Sequence, residues 1–431
     1  MTFAKMFQLM LGTVGLRFGG AAIGLLTQLV LARILAPGDV GVVFLTMSVA
    51  AITSLLVTGG YPNLALTQLP RIHALSLGRA AQAFHGAFLK EFVLWNMVLI
   101  AIVAIVVAYV PFDSSLRTAL IFGSATAGFS GLLRYNSAVA NGLKQFAMAF
   151  VPDSLVRPLL FLLFVALALL AGFELSLWAV LVAYVAGNFV VVVVQAWAMG
   201  HDRLHLSSWI KTRPSFTKIL RPRAVSMMIT AGVATMFADI VTLVGGFVLL
   251  ASDIAILGIC IRLAGLAGYV LQASQQFILP DLTKAMVRRD SAETRSLLVR
   301  LNFLMLGTSL AVLLGTIVLG RLFLGLFGAS YEAGYWLMVV CMGAQMIRAL
   351  AGINQGLLAI EGHQARSALA ALTGIVIFIC AAIILAGHLG VTGIGYAIVI
   401  AEIAGGTMLA AQAQSLTGRR ADLLWLFTHS A

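Results

Sequence analysis

The chain has 431 residues, of which 61% are hydrophobic and only 10% are charged. Soluble globular domains are about 25% charged, so this composition excludes a soluble globular protein and a disordered chain and indicates a membrane protein. The formal net charge of +12 would also suit a nucleic-acid-binding protein, but such a protein needs a soluble basic face. Here most basic residues lie in short links between hydrophobic segments, so we expect no nucleic-acid partner.

Twelve hydrophobic stretches are long enough to cross a bilayer, which takes about 20 apolar residues per helix. They leave room only for short links, which excludes a separate soluble catalytic domain of about 100 residues. The predicted spans are Phe7–Ile34, Val40–Gly59, Phe92–Val110, Thr118–Leu143, Phe150–Ala171, Leu175–Met199, Ala224–Leu250, Ile254–Phe277, Leu298–Gly320, Tyr335–Ile360, Leu369–His388 and Val391–Gln414.

The distribution of Lys and Arg predicts the orientation, because the cytoplasmic links of membrane proteins are enriched in these residues. With the N-terminus inside, twenty of the 27 Lys and Arg residues fall on the inner side. The outer side then holds only Arg33, Arg117 and Arg321. We therefore expect a multi-pass protein of the cytoplasmic (inner) membrane with both termini in the cytoplasm, in contact with membrane lipids.

The two longest links are cytoplasmic in this orientation. In the first, residues 60–91, apolar residues including Phe84 and Phe88 recur at helical spacing, which predicts an amphipathic helix at the inner membrane interface. The second is densely basic and divides the chain near its midpoint, and we expect it to be a solvated loop near anionic lipid.

The predicted domains are a six-helix bundle over 1–199, the basic connection over 200–223, a second six-helix bundle over 224–414 and a short cytoplasmic tail over 415–431. The fourth and tenth spans also contain similar segments, Leu132–Leu143 and Met346–Leu357, which both read apolar, apolar, Arg, six residues, an amide residue, Gly and Leu. This similarity predicts an internal repeat.

An even number of helices per half makes the two repeats parallel, and transporters of this kind place the substrate site between the halves. The predicted fold is therefore an all-α polytopic membrane protein with about 12 transmembrane helices in two parallel six-helix repeats around a central cavity.

Six ionisable residues lie within the predicted spans, and each central charge costs about 2.5–3.5 kcal/mol on the insertion scale. We expect them to face a hydrated cavity or one another. Four arginines against two acids leave this interior positive, and the guanidinium group suits phosphate oxygens, so the sequence predicts an anionic substrate. Asn141 follows Arg134 by seven residues on the same helix face. The six residues are Arg17, Arg134, Asp239, Arg262, Arg348 and Glu402.

Each of these charges also has a structural interpretation. Arg134 and Arg348 could pair with helix carbonyls, and Arg17 could pair with Asp239. Glu402 could be a proton-coupling carboxylate or a neutral buried acid. Two further cases are Arg262, which could extend to the outer interface, and the pair Asp153 and Arg157, which the spacing predicts as a local ion pair.

No catalytic, disulfide or metal-binding pattern stands out. The three cysteines, Cys260, Cys341 and Cys380, lie within apolar stretches without paired spacing. His201 and His205 stand four residues apart, but they lack the third ligand of a zinc site. We expect a protein that is not an enzyme and that has neither a cofactor nor a metal.

Three short segments carry a resemblance to a known family. They are Leu31–Gly41, Ala251–Gly258 and Leu326–Gly334, the last with an apolar pair, Gly, then Tyr and a small residue. With them the chain resembles a polysaccharide flippase of the O-antigen and exopolysaccharide exporters, within the multidrug/oligosaccharidyl-lipid/polysaccharide exporter superfamily.

The resemblance implies a pair of six-helix bundles that moves a polyprenyl-diphosphate-linked oligosaccharide from the inner to the outer leaflet by alternating access. It implies diphosphate binding by Arg17, Arg134 and Arg348, to which we add Asn141 as a substrate-binding residue. Asp239 and Glu402 are the candidates for ion coupling. The expected partners are a lipid-linked anionic glycan and polysaccharide polymerase and assembly proteins, and the alternative function is a proton- or sodium-coupled multidrug antiporter of the same superfamily.

Overall fold

The computed structural model describes residues 3–172, 175–199, 214–288, 291–418 and 420–422, which are almost entirely helical and include no β-strand. Up to residue 199 the helices are α1 (Phe3–Ile34), α2 (Pro37–Thr58), α3 (Tyr61–Ala74), α4 (Gly78–Tyr109), α5 (Ser114–Gly142), α6 (Phe146–Val151), α7 (Arg157–Leu170) and α8 (Leu177–Ala198). From residue 214 they are α9 (Pro214–Thr235), α10 (Phe237–Val248), α11 (Ala251–Val287), α12 (Ser291–Phe327), α13 (Tyr335–Leu350), α14 (Asn354–Ile360) and α15 (Gln364–Thr417).

Nine described helices are long and apolar enough to cross a membrane, and shorter apolar helices cover Gly19–Ile34 and Phe237–Val248. One of the nine, α15, has 54 residues and a sharp backbone kink at Gly390. At 1.5 Å per residue it measures about 80 Å, whereas the hydrocarbon core of a bilayer is about 30 Å thick. The kink separates the predicted eleventh and twelfth spans. The all-α multi-pass prediction is confirmed, and the described helices are consistent with twelve spans.

The described chain forms two compact units, Met1–Leu243 and Val244–Ala431. Their boundary falls inside α10, within the predicted seventh span. Residues 200–213 of the predicted basic connection lie outside the described residues, and the helical chain resumes with α9.

The predicted amphipathic helix exists as the first part of α4, and other helices of the first unit cover its apolar face. Phe84 and Phe88 are completely buried in a cluster of the first unit with Tyr61 and Tyr135. The Phe88 and Tyr135 rings stack at a centroid distance of 3.5 Å. Periodicity identifies the apolar face of a helix without identifying the surface that covers it, and here that surface is protein.

The start of α9 packs on α3 and α4 of the first unit. Leu220 and Ala224 are buried in the same aromatic cluster, and Arg221 forms a salt bridge with Glu91 in which Nη2 lies 2.7 Å from Oε1. The hydrogen bonds that Arg221 donates to Glu91 raise the pKa of the Arg221 guanidinium. The last ten residues of the predicted loop 200–223 are therefore helical, and part of their positive charge is neutralised within the unit.

In the second unit the predicted tenth span, Tyr335–Ile360, is interrupted. Helix α13 ends at Leu350, and α14 begins at Asn354. Gly352 between them has a φ of +67°, and a Cβ there would lie 2.1 Å from the carbonyl oxygen of Ala421. A side chain would collide with that backbone, so the glycine both ends α13 and admits the C-terminal segment.

The segment 420–422 is packed into the second unit rather than free. Asn302 Nδ2 donates to the Ala421 carbonyl at 3.0 Å, and the Ala421 amide donates to Asn354 Oδ1 at 2.8 Å. Ala421 and Asp422 are buried. Within the predicted tail 415–431, residues 415–418 complete α15 and its C-cap, whereas residues 419 and 423–431 lie outside the described residues.

Candidate functional site

Arg134 lies on α5, eight residues before Gly142 at the C-terminal end of the helix. At 1.5 Å per residue this places its Cα about 12 Å inside that end. The preceding residue, Leu133, belongs to a buried cluster against which Val156 and Leu160 pack. This cluster joins the part of α5 that contains Arg134 to the segment that leads into α7.

A π-helical segment, Pro152–Val156, joins α6 to α7. The Arg157 amide donates to the carbonyl of Pro152, five residues back. Segments of this type insert one extra residue into a helix and occur frequently at functional sites. The segment contacts α1 at Gly20, where a Cβ would lie 1.9 Å from the Ser154 carbonyl oxygen.

Asp153 and Arg157 form the predicted local ion pair, with Nη2 of Arg157 3.1 Å from Oδ1 of Asp153. The pair is also part of a larger charge cluster. The Arg134 guanidinium interacts electrostatically with three charged groups, which are, in order of decreasing strength, Asp153, Arg157 and Asp239. Asp153 and Asp239 also interact electrostatically with Arg157. We call these four residues the four-charge cluster, which lies entirely within the first unit.

Arg134 itself makes no hydrogen bond or salt bridge with any described residue. Arg157 makes one salt-bridge contact, and its side chain is 37% exposed. Guanidinium groups have five N–H donors, so both arginines retain donors that no described residue satisfies. The cluster combines two positive and two negative groups with free hydrogen-bonding capacity on the positive members.

The other predicted site residues of the first unit lie on the same elements. Asn141 follows Arg134 by seven residues on the unbroken α5, so both project from one helix face at a separation of about 10 Å. Arg17 lies on α1, one turn before Gly20, and its side chain lies outside the described residues. Asp239 lies in the first turn of α10.

In the second unit Arg348 and Glu402 form a two-contact salt bridge between α13 and α15. Nε of Arg348 lies 3.2 Å from Oε2 of Glu402, and Nη2 of Arg348 contacts Oε1 of Glu402. The Glu402 side chain is only 16% exposed. A predicted substrate-binding residue and a predicted ion-coupling residue are therefore direct partners.

Two sequence-based expectations about this unit change. Gln355 does not share a helix with Arg348, because the helix is interrupted at residues 351–353. Only Arg134 therefore has an amide side chain seven residues later on the same helix face. Arg262 donates from Nη1 to the Gly258 carbonyl, one turn back at 3.2 Å. The guanidinium group thus satisfies a backbone carbonyl of its own helix.

Sequence reasoning missed the association of Arg157 and Asp153 with Arg134. Their spacing of four residues predicts only a contact with each other, whereas the packing of the π-helical segment on α5 decides their third neighbour. The Val151-Pro152-Asp153 sequence was an available signal, because a proline inside a helix often disturbs its hydrogen bonds. The described residues contain no cluster of three or more potential metal ligands.

Comparison with solved structures identifies the fold. An inward-facing multidrug resistance MATE family transporter of the MOP superfamily superposes with a TM-score of 0.72, at 13% identity over 95% of this chain and 96% of that one. An outward-facing MATE transporter gives 0.57, at 14% identity over 98% and 99%. The lipid II flippase MurJ in an inward closed conformation gives 0.58, at 14% identity over 88% and 87%.

No protein-family model matches the sequence, and no curated protein matches it significantly. At these identities the structural likeness establishes the fold alone. The chain has the fold of MOP-superfamily transporters and is a multi-pass membrane protein with transporters and a flippase among its structural neighbours.

Proposed function

We propose that this protein flips a polyprenyl-diphosphate-linked oligosaccharide from the inner to the outer leaflet of the cytoplasmic membrane by alternating access. The observation that carries the proposal is Arg134, an arginine well inside a membrane helix that has no hydrogen-bonding or salt-bridge partner among the described residues. A cation at this depth is costly unless it is hydrated or binds an anion, and a diphosphate supplies that anion.

In this proposal Arg17, Arg134 and Arg348 contact the diphosphate, and Asn141 contributes a hydrogen bond near the end of α5. The lipid tail stays in the bilayer, because transfer to a hydrated cavity would cost about 0.8 kcal/mol for each CH₂ group exposed. The protein acts at the membrane alongside polysaccharide polymerase and assembly proteins, with both of its termini in the cytoplasm.

The Arg348–Glu402 salt bridge supports a link between cargo and protons. The Glu402 carboxylate makes two contacts with the Arg348 guanidinium, so a phosphate has to compete with this carboxylate for Arg348. Protonation of Glu402 weakens the pair and frees Arg348 for an anion. Asp239, beside Arg134 and Arg157 in the first unit, is the second candidate for ion coupling.

The test is flipping of a fluorescent polyprenyl-diphosphate glycan in vesicles containing the purified protein. Replacement of Arg134 with Ala should abolish flipping, and replacement of Arg348 with Ala should reduce it strongly, with unchanged protein incorporation. Arg117→Ala, an exposed arginine at the other end of α5, is the matched control. Full activity of both Arg134→Ala and Arg348→Ala would contradict the proposal.

A multidrug antiporter is the second candidate, favoured by the TM-score of 0.72 with a multidrug resistance MATE transporter. The neutralised Arg348 also leaves the second unit less positive than the sequence alone predicts. Proton- or sodium-driven efflux of organic cations from vesicles, without flipping of the lipid-linked glycan, would favour this candidate.

A further inference from the structure

We propose that Arg157 is a second anion-binding arginine, which with Arg134 holds one diphosphate-type group within the first unit. This inference rests on the proposed function and assigns a binding role to a residue that the sequence predicts only as half of a local ion pair. The phosphate chemistry is shared by a lipid-linked diphosphate and free pyrophosphate, and the experiment below distinguishes the two.

The π-helical segment packs on α5 near Arg134. Val156 of this segment and Leu160 of α7 pack against a buried cluster that contains Leu133 of α5, so this part of α5 and the junction between the segment and α7 lie in one region of the unit. Arg134 follows Leu133, and Arg157 follows Val156. The electrostatic effect of Arg157 on the Arg134 guanidinium agrees with this placement.

Arg157 is incompletely paired. Asp153 accepts through one oxygen from one nitrogen of Arg157, whereas a strong arginine–carboxylate pair uses two parallel contacts. The two side chains are 37% and 49% exposed, and an exposed pair of this type contributes little to stability. Asp153 therefore orients the guanidinium and leaves most of its donors available.

The charges of the two arginines favour a shared anion. Two like-charged guanidinium groups close together repel each other, and a shared anion relieves that repulsion. Asp153 and Asp239 perform this role incompletely, because Arg134 donates no direct hydrogen bond to either. A diphosphate carries at least two negative charges and has enough oxygens to bind both arginines. A monovalent anion has only one charge to offset the two guanidinium groups.

The π-helical segment fixes the geometry. It inserts one residue between α6 and α7, which turns Arg157 by about 100° relative to its direction in a continuous α-helix. Close contact with Gly20 of α1 holds the segment in place. Asp153 and Arg157 are thus positioned by two neighbouring helices rather than by their own turn alone.

The test uses the purified full chain in detergent, with farnesyl diphosphate, inorganic pyrophosphate and farnesol as probes and calorimetric titration as the readout. The wild-type protein should bind farnesyl diphosphate more tightly than farnesol. Arg157→Gln and Arg134→Gln should each weaken that binding about 10-fold or more, the loss expected for a charge-assisted hydrogen bond. Arg157→Lys should retain part of the affinity, and Arg117→Gln is the matched control.

Asp153→Asn separates a binding role from a structural one. If Asp153 competes with the anion for Arg157, its neutralisation should preserve or strengthen binding of farnesyl diphosphate. If the pair is only structural, Asp153→Asn and Arg157→Gln should lower the melting temperature together and weaken binding equally, which would overturn the inference.

The remaining outcomes distinguish this inference from the proposed function. Binding that is lost in Arg134→Gln but equals the control in Arg157→Gln would overturn the role of Arg157 and leave the proposed function standing. No preference of the wild type for farnesyl diphosphate over farnesol would overturn both. Equally tight binding of pyrophosphate, with the same dependence on both arginines, would support the site and contradict a lipid-linked cargo.

Discussion

Arg134 and Arg348 occupy equivalent places in the sequence repeat but have different partners. Arg134 has no direct contact with a described acid, whereas Arg348 makes two contacts with Glu402. The repeat therefore conserves the position of a guanidinium group in each unit and not its electrostatic state. In the proposed function, Arg134 is ready to bind an anion, and Arg348 becomes available only when Glu402 releases it.

Neutralisation of Glu402 should change the pH dependence of transport. Glu402→Gln removes the charge that holds Arg348, so transport should lose the part of its pH response that comes from protonation of this carboxylate. Flipping in vesicles at a series of pH values measures the effect. Glu361→Gln, which alters an exposed glutamate of the same unit, is the control. An unaltered pH profile of Glu402→Gln would remove Glu402 from the coupling mechanism.

At the scale of elements, the π-helical segment depends on a glycine of another helix. Gly20→Ala places a methyl group 1.9 Å from the Ser154 carbonyl oxygen, so α1 or the segment has to move. We expect a loss of about 1–3 kcal/mol of stability, the usual cost of overpacking, together with reduced transport.

Gly24 is the matched control for this change, since a Cβ there meets nothing within 4 Å. Gly24→Ala should leave stability unchanged or raise it slightly, because alanine favours a helix by up to about 1 kcal/mol over glycine. Thermal unfolding of the detergent-solubilised variants measures both effects. Equal melting temperatures of the two variants would contradict the close contact at Gly20.

The packing of the segment 420–422 into the second unit depends on Asn354. Asn354→Ala removes the acceptor of the Ala421 amide and the donor to the Ala351 carbonyl. Loss of a buried polar partner costs about 1–3 kcal/mol, so the melting temperature should fall and proteolysis after α15 should accelerate. Gln355→Ala, at an exposed neighbouring position, should change neither property. Unchanged proteolysis of Asn354→Ala would show that the segment is held by other contacts.

At the scale of the whole molecule, the predicted topology remains to be tested. Reporter fusions after Glu174 and after Met199 should report opposite sides of the membrane, with the fusion after Met199 in the cytoplasm. The physical reason is the excess of Lys and Arg in the links assigned to the inside. Paired phosphatase and fluorescent-protein fusions measure the sides. If both fusions report the same side of the membrane, α8 does not cross it.

Two compact units make up the described chain, and α9 packs with the first of them through the Glu91–Arg221 salt bridge and the buried residues beside it. A sequence-based boundary placed at the basic connection depends on charge density alone. The packing of α9 on α3 and α4 depends on apolar contacts formed by residues far apart in the chain. Composition therefore predicts two halves, while the unit to which a particular helix belongs is a matter of packing.

Hydropathy alone predicts the membrane class, the helical fold and most of the spans, because a bilayer imposes a minimum length and an apolar composition on every crossing segment. It also locates the charges within the spans, since these stand out in apolar surroundings. Single positions such as Pro152 and Gly352 indicate where a regular α-helix is interrupted. The sequence does not reveal whether the interruption is a π-helical segment or a break between two helices.

Which charges meet depends on the folded structure. The Arg348–Glu402 pair joins residues 54 positions apart, and the four-charge cluster combines residues of α5, the π-helical segment, α7 and α10. Electrostatic interactions fall off with distance and depend on local solvation, so neither the partner nor the protonation of a charge follows from its position along a helix. The sequence therefore predicted an interior of positive charge, and the fold decided which arginine remains without a direct partner.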